Sequence, residues 1–122
     1  MKKKILLVVD DFPSVIDAVQ LALETEDVEV IGAANEGEAI ARFKESQPDA
    51  ILLDIMFGSE PKGWEILKKI RDQDQSVVVL IFSATESVDQ ENKEGRQFDG
   101  FLSKSPWDIN QLKKSLKEKG VI

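Results

Sequence analysis

The chain has 122 residues with no cysteine and no histidine, and 23 acidic residues against 16 basic ones give it a formal charge of −7. This length suits one small domain that can build a core without disulfide or structural zinc. The composition excludes thiol chemistry, histidine-based triads and Cys/His zinc clusters, and the acidic balance argues against binding to a nucleic-acid phosphate backbone.

Lys2, Lys3 and Lys4 precede an apolar run, Ile5 to Val9, that stops at Asp10 and Asp11. That run is too short for an export signal, and no stretch approaches the roughly 20 apolar residues of a membrane span. A cytoplasmic protein with no membrane partner is expected. Further apolar runs follow at Val28 to Ala33, Ala50 to Leu53, Val77 to Phe82 and Phe101 to Leu102. Each has strand length.

Between these runs, apolar residues recur at helical spacing: Val15, Ile16, Val19 and Leu23; Ala39, Ile40 and Phe43; Ile66, Leu67 and Ile70; and Ile109, Leu112 and Leu116. The first, third and fourth strands are nearly uniform in Ile, Leu and Val, as expected of strands covered by helices on both faces. The pattern predicts a three-layer α/β sandwich around a parallel sheet, forming a single domain over residues 1–122. Asn35 with Glu38 reads as a helix cap, and Ser105, Pro106 and Asp108 read as a cap, a first-turn proline and an acid in the third position of the last helix. Residues 86–97 carry one aliphatic residue, Val88, and an internal Gly95, which predicts a short, mobile or irregular helix there.

In an open parallel sheet, ligands bind outside the carboxyl ends of the strands. Asp10 and Asp11 follow the first strand, Asp54 the third, Ser83 the fourth and Lys104 the fifth. Three neighbouring carboxylates repel one another unless a cation neutralises them, and an all-oxygen site suits Mg²⁺. Asp54 is then the candidate nucleophile toward a phosphoryl group, with Lys104 and Ser83 holding the transferred oxygens. Taken singly, each residue also has a structural reading. Asp10 and Asp11 with Pro13 suit a helix start, Ser83 with Glu86 a capping box, and Lys104 a solvated surface lysine.

Ile5-Leu-Leu-Val-Val-Asp-Asp11, Pro48-Asp-Ala-Ile-Leu-Leu-Asp54, Gly63, Ser83-Ala84 and Lys104 together resemble the receiver domain of two-component response regulators, in the chemotaxis-type single-domain form. The resemblance covers essentially the whole chain. It implies a flavodoxin-like fold with a five-stranded parallel sheet in the order 2-1-3-4-5. It also implies Asp54 as phosphoacceptor, and Asp10, Asp11, Asp54 and the Met56 backbone carbonyl as Mg²⁺ ligands. Ser83 and Lys104 would hold the phosphoryl group, and Ser83 with Phe101 would form the switch; a plain core aromatic is the other reading of Phe101. The implied phosphodonor is a histidine kinase or histidine phosphotransfer protein. A downstream protein would bind the face formed by residues 86–97, the fifth strand and the last helix. With no effector domain in this chain, output is expected through protein binding or phosphorelay.

The chain departs from the family pattern in three places. Gly58 stands where a proline is usual, Gly63 falls one residue late so that the loop Phe57 to Lys62 is longer, and Ser105 separates Lys104 from Pro106. Met56 and Thr85 occupy positions that tune water access to an acyl phosphate, and neither can orient an attacking water well, so slow self-dephosphorylation is expected. These departures leave open a second reading, a receiver-like interaction module that works without phosphorylation. Met56 also stands where an aspartate-dependent phosphatase needs a second acid, and Asp10-Asp11-Phe12-Pro13 would repel a flavin phosphate. Lys113, Lys114, Lys117 and Lys119 crowd the last helix, where cations favour the helix dipole or form a partner-contact stripe.

Overall fold

The computed structural model of the chain describes residues 3–83, 98–104 and 108–122. Its elements run β1 (Lys4–Val9), α1 (Pro13–Leu23), β2 (Val28–Ala33), α2 (Glu36–Ser46), β3 (Ala50–Leu53), α3 (Gly63–Gln73), β4 (Val78–Ser83), β5 (Gly100–Ser103) and α4 (Ile109–Glu118). All strand pairs are parallel, and the sheet order is β2-β1-β3-β4-β5. This is the topology expected from the motifs. The expected irregular helix over 86–97, together with Thr85, Ser105 and Pro106, lies outside the described residues.

Strand alternation divides the core into two layers. On one face Leu7, Val9, Ile51, Leu53, Val79 and Ile81 pack under Ala39 and Phe43 of α2 and Ile66, Leu67 and Ile70 of α3. On the other, Leu6, Val8, Leu52, Leu80 and Phe82 meet Val19 and Leu23 of α1 and Leu112 and Leu116 of α4. Because both faces of β1, β3 and β4 are covered, their polar continuations can emerge only at the strand ends. β5 is an edge strand, and its side chains alternate between half-buried and exposed.

The α2 start behaves as its sequence indicates: Asn35 Oδ1 accepts from the Glu38 amide at 2.9 Å, and Glu38 Oε1 accepts from the Ala34 amide at 2.9 Å. The α4 start does not. Asp108 is itself the cap, in extended backbone with its Oδ1 accepting from the Asn110 amide at 2.8 Å, so the helix begins at Ile109 and Asp108 is not a third-position acid.

At the amino edge of the sheet, Arg71 at the end of α3 donates to the Val77 carbonyl at 2.7 Å and to Asp99 Oδ2 at 3.1 Å. Asp99 Oδ2 also accepts from the Val79 amide at 2.9 Å, so one guanidinium and one carboxylate tie α3, β4 and the approach to β5 together. Gly63 opens α3 against the end of β3. A Cβ there would lie 2.3 Å from the Asp54 carbonyl oxygen and 2.5 Å from Ile55 Cα, so only glycine permits this approach.

Two stability changes follow. Arg71→Met removes the guanidinium that pairs with Asp99 and is expected to cost about 2–3 kcal/mol, below the range for a fully buried pair because Asp99 keeps some solvent contact. Adding Asp99→Asn should restore part of that loss in urea denaturation; additive losses would contradict the coupling. Gly63→Ala forces backbone apart and is expected to cost about 1–3 kcal/mol, an unchanged urea midpoint being the contrary result.

Candidate functional site

The residues singled out by their positions after the strands arrive at one edge because the sheet's hydrogen bonds continue one step past the strands. The Asp10 amide donates to Ala33 O at 3.0 Å, the Asp54 amide to Val9 O at 2.9 Å and the Lys104 amide to Ser83 O at 3.1 Å. With Val9 beside Leu53 in register, the next residues, Asp10 and Asp54, become neighbours on adjacent central strands. Ser83 closes β4 opposite Ser103, immediately before Lys104.

Asp10 is 1% exposed, Asp54 4% and Ser83 1%. One carboxylate oxygen from each of Asp10, Asp11 and Asp54 lies within 4.8 Å of the others. Lys104 Nζ bridges two of the three acids, donating to Asp10 Oδ2 and, at 3.0 Å, to Asp54 Oδ2. The same ammonium sits 5.7 Å from the centre of the Phe82 ring, within cation–π range. Lys104 is therefore a buried-site cation rather than a solvated surface lysine.

Burial pushes the Asp10 carboxyl above the ordinary carboxylate range, against the opposing pull of the Lys104 hydrogen bond and the Phe12 amide, which donates to Asp10 Oδ1 at 2.9 Å. Among the described residues a single ammonium, that of Lys104, pairs with the three carboxylates of the cluster, which leaves two formal negative charges unmatched there. Asp11 Oδ1 is buried and has no hydrogen-bond partner among the described residues. An orphaned buried carboxylate oxygen in an all-oxygen acidic cluster fits a hard divalent cation such as Mg²⁺.

Met56, two residues past Asp54, is half-buried against the core beneath α2 and α3, and its amide approaches Asp54 Oδ1 at 3.4 Å. Phe101 is 36% exposed on β5. That corrects its reading as a core aromatic: β5 is the edge strand of the sheet, its positions alternate between half-buried and exposed, and Phe101 occupies an exposed one.

In the sequence Gly58 stands out only as a departure from the family pattern. In the structure its amide donates to Asp11 Oδ2 at 3.0 Å, from the tip of a tight turn closed by Phe57 and Glu60. The role of Phe82 beneath Lys104 was also missed, since as a strand residue it reads as plain core.

Among the described residues no helix is long and apolar enough to cross a membrane. The chain is 39% identical over 83 residues to the transcriptional regulatory protein TrcR of Mycobacterium tuberculosis, a match covering 68% of this chain and 32% of that protein. The chain thus spans about a third of that relative's length. Its structure is similar to a CheY-like response regulator receiver domain protein from Methanospirillum hungatei, with a TM-score of 0.85, 26% identity and coverage of 97% of this chain and 94% of the other. It is also similar to the response regulator TrrA from Thermotoga maritima in complex with Mg²⁺ and BeF, with a TM-score of 0.80, 27% identity and coverage of 95% and 98%. The family described as the response regulator receiver domain matches residues 6–117, and with its sheet order and its acidic edge the chain belongs to that family.

Proposed function

We propose that this chain is a phosphorylation switch, a single receiver domain over residues 1–122 in which Asp54 accepts a phosphoryl group with Mg²⁺ as cofactor. The observation that carries this is the placement of Asp54: a buried carboxylate at the end of a central strand, 3.0 Å from an ammonium and grouped with two further carboxylates that fit a cation. Asp10, Asp11, Asp54 and the Met56 carbonyl are the proposed Mg²⁺ ligands. The bound ion would offset the repulsion between the carboxylates and the incoming phosphoryl oxygens.

An Asp54 carboxylate oxygen attacks phosphorus in the phosphohistidine of a histidine kinase or histidine phosphotransfer protein. An O–P bond forms, and the P–N bond breaks with its electron pair remaining on the imidazole. Lys104 already contacts Asp54 and pairs with the transferred oxygens, while the Ser83 hydroxyl donates a hydrogen bond to them. The chain's chemistry is limited to its own phosphorylation and dephosphorylation.

Ser83 and Phe101 carry the switch. They lie on neighbouring strands β4 and β5, and Phe101 is exposed in the structure, free to turn inward when Ser83 is drawn to a phosphoryl group. The downstream partner is a protein that docks on β5 and α4 together with residues 86–97. The position of β5 at the edge of the sheet and the lysines of α4 suit such a contact, and the net charge of −7 disfavours nucleic acid. The site of action is the cytoplasm.

Incubation with acetyl phosphate and Mg²⁺ should give a single phosphoryl adduct by intact mass, absent from Asp54→Ala and from a metal-free sample. No adduct from either acetyl phosphate or a phosphohistidine donor would favour a module that acts without phosphorylation. Since Met56 faces the apolar core and offers no acid or amide to orient water, the adduct should persist for minutes or longer. A lifetime of seconds would contradict this.

A further inference from the structure

The turn at Phe57 to Glu60 is built so that one amide reaches the acidic cluster. The Phe57 amide donates to Glu60 O at 2.8 Å and the Glu60 amide to Phe57 O at 3.2 Å, which closes a two-residue tip of Gly58 and Ser59. Gly58 has φ +64°, the left-handed region, at the first central position of that tip. A Cβ at Gly58 would meet nothing within 4 Å, so backbone conformation rather than space selects glycine there. Phe57 packs against the core beneath α2 and α3, and the Gly63 amide donates to Ile55 O at 2.8 Å, so both ends of the loop are anchored. From this platform the Gly58 N–H reaches Asp11 Oδ2 at 3.0 Å across 47 residues of sequence.

The two oxygens of Asp11 are therefore treated differently. Oδ2 is held by the Gly58 amide, whereas Oδ1 is buried without a hydrogen-bond partner among the described residues. A hydrogen bond to one oxygen of a metal-binding carboxylate fixes its orientation and raises the affinity of the site.

We infer that Gly58 is a positioning residue for the cation site: its amide pins Asp11 so that Oδ1 is presented to a divalent metal. A proline at position 58 would lack the N–H and could not adopt φ +64°. The longer loop with Gly58 thus supplies an orienting contact that a proline-bearing loop cannot make. The inference rests on the proposed Mg²⁺ site of Asp10, Asp11 and Asp54.

The test is calorimetric titration with Mg²⁺ alone on the wild type, Gly58→Pro and Gly58→Asn, with thermal melts of each. Gly58→Pro should weaken Mg²⁺ binding by about tenfold or more, in line with loss of an orienting contact to a metal ligand. Gly58→Asn keeps the N–H and tolerates the left-handed region, so it should bind like the wild type. Amide exchange gives a readout that does not depend on the proline variant folding. The Gly58 amide should be protected in the wild type, lose protection in Asp11→Ala, and remain protected when Mg²⁺ is added. Equal Mg²⁺ affinity in a folded Gly58→Pro protein, or release of the Gly58 amide by Mg²⁺, would overturn the inference. Absence of Mg²⁺ binding by the wild type, with the amide still protected, would overturn the metal site itself.

Discussion

The architecture depends on charge held where a parallel sheet ends. The register of β1 against β3 makes Asp10 and Asp54 neighbours, and the apolar layers on both sides of those strands leave the two carboxylates little access to water. Such a cluster is unfavourable unless cations reach it. Lys104 supplies one positive charge from just past the end of β5 and contacts both Asp10 and Asp54, so the edge strand is tied electrostatically to the centre of the sheet. A group that displaced Lys104 from Asp10, or drew it further toward Asp54, would act directly on the strand that carries Phe101. This gives the proposed switch a physical connection between the acidic edge and an exposed aromatic.

The β3–α3 connection is shaped by the same demand. Gly63 lets α3 start against the Asp54 and Ile55 backbone, and Gly58 turns the chain so that an amide faces Asp11. The two glycines act for different reasons, one for close approach and one for a positive φ. Opposite this functional edge, Arg71 and Asp99 close the amino end of the sheet with charge pairing of their own, whereas at the carboxyl edge Asp11 Oδ1 has no hydrogen-bond partner among the described residues.

Much of this was legible in the residues. Strands buried on both faces carry unbroken Ile, Leu and Val, so β1, β3 and β4 stand out, and the acids that end two of them are conspicuous against that background. What could not be read came from long-range geometry or from edge position. The Gly58 to Asp11 hydrogen bond spans 47 residues, and nothing local to Phe57-Gly58-Ser59-Glu60 indicates its acceptor. Phe82 looks like any strand residue until Lys104 is placed near its ring. Phe101 lies on a strand too short to reveal by alternation that it faces outward, and Asp108 took the capping role that Ser105 and Pro106 suggested for themselves.

The central claim is that the acidic edge is an electrostatic site incomplete without a divalent cation. Urea denaturation of the wild type and of Asp11→Asn, each with and without Mg²⁺, tests it most directly, because a ligand that binds the folded state alone raises stability by mass action. Mg²⁺ should raise the midpoint of the wild type and leave that of Asp11→Asn nearly unchanged, while in the absence of metal Asp11→Asn should be no less stable than the wild type. A wild-type midpoint indifferent to Mg²⁺, or an equal rise in both proteins, would contradict the claim.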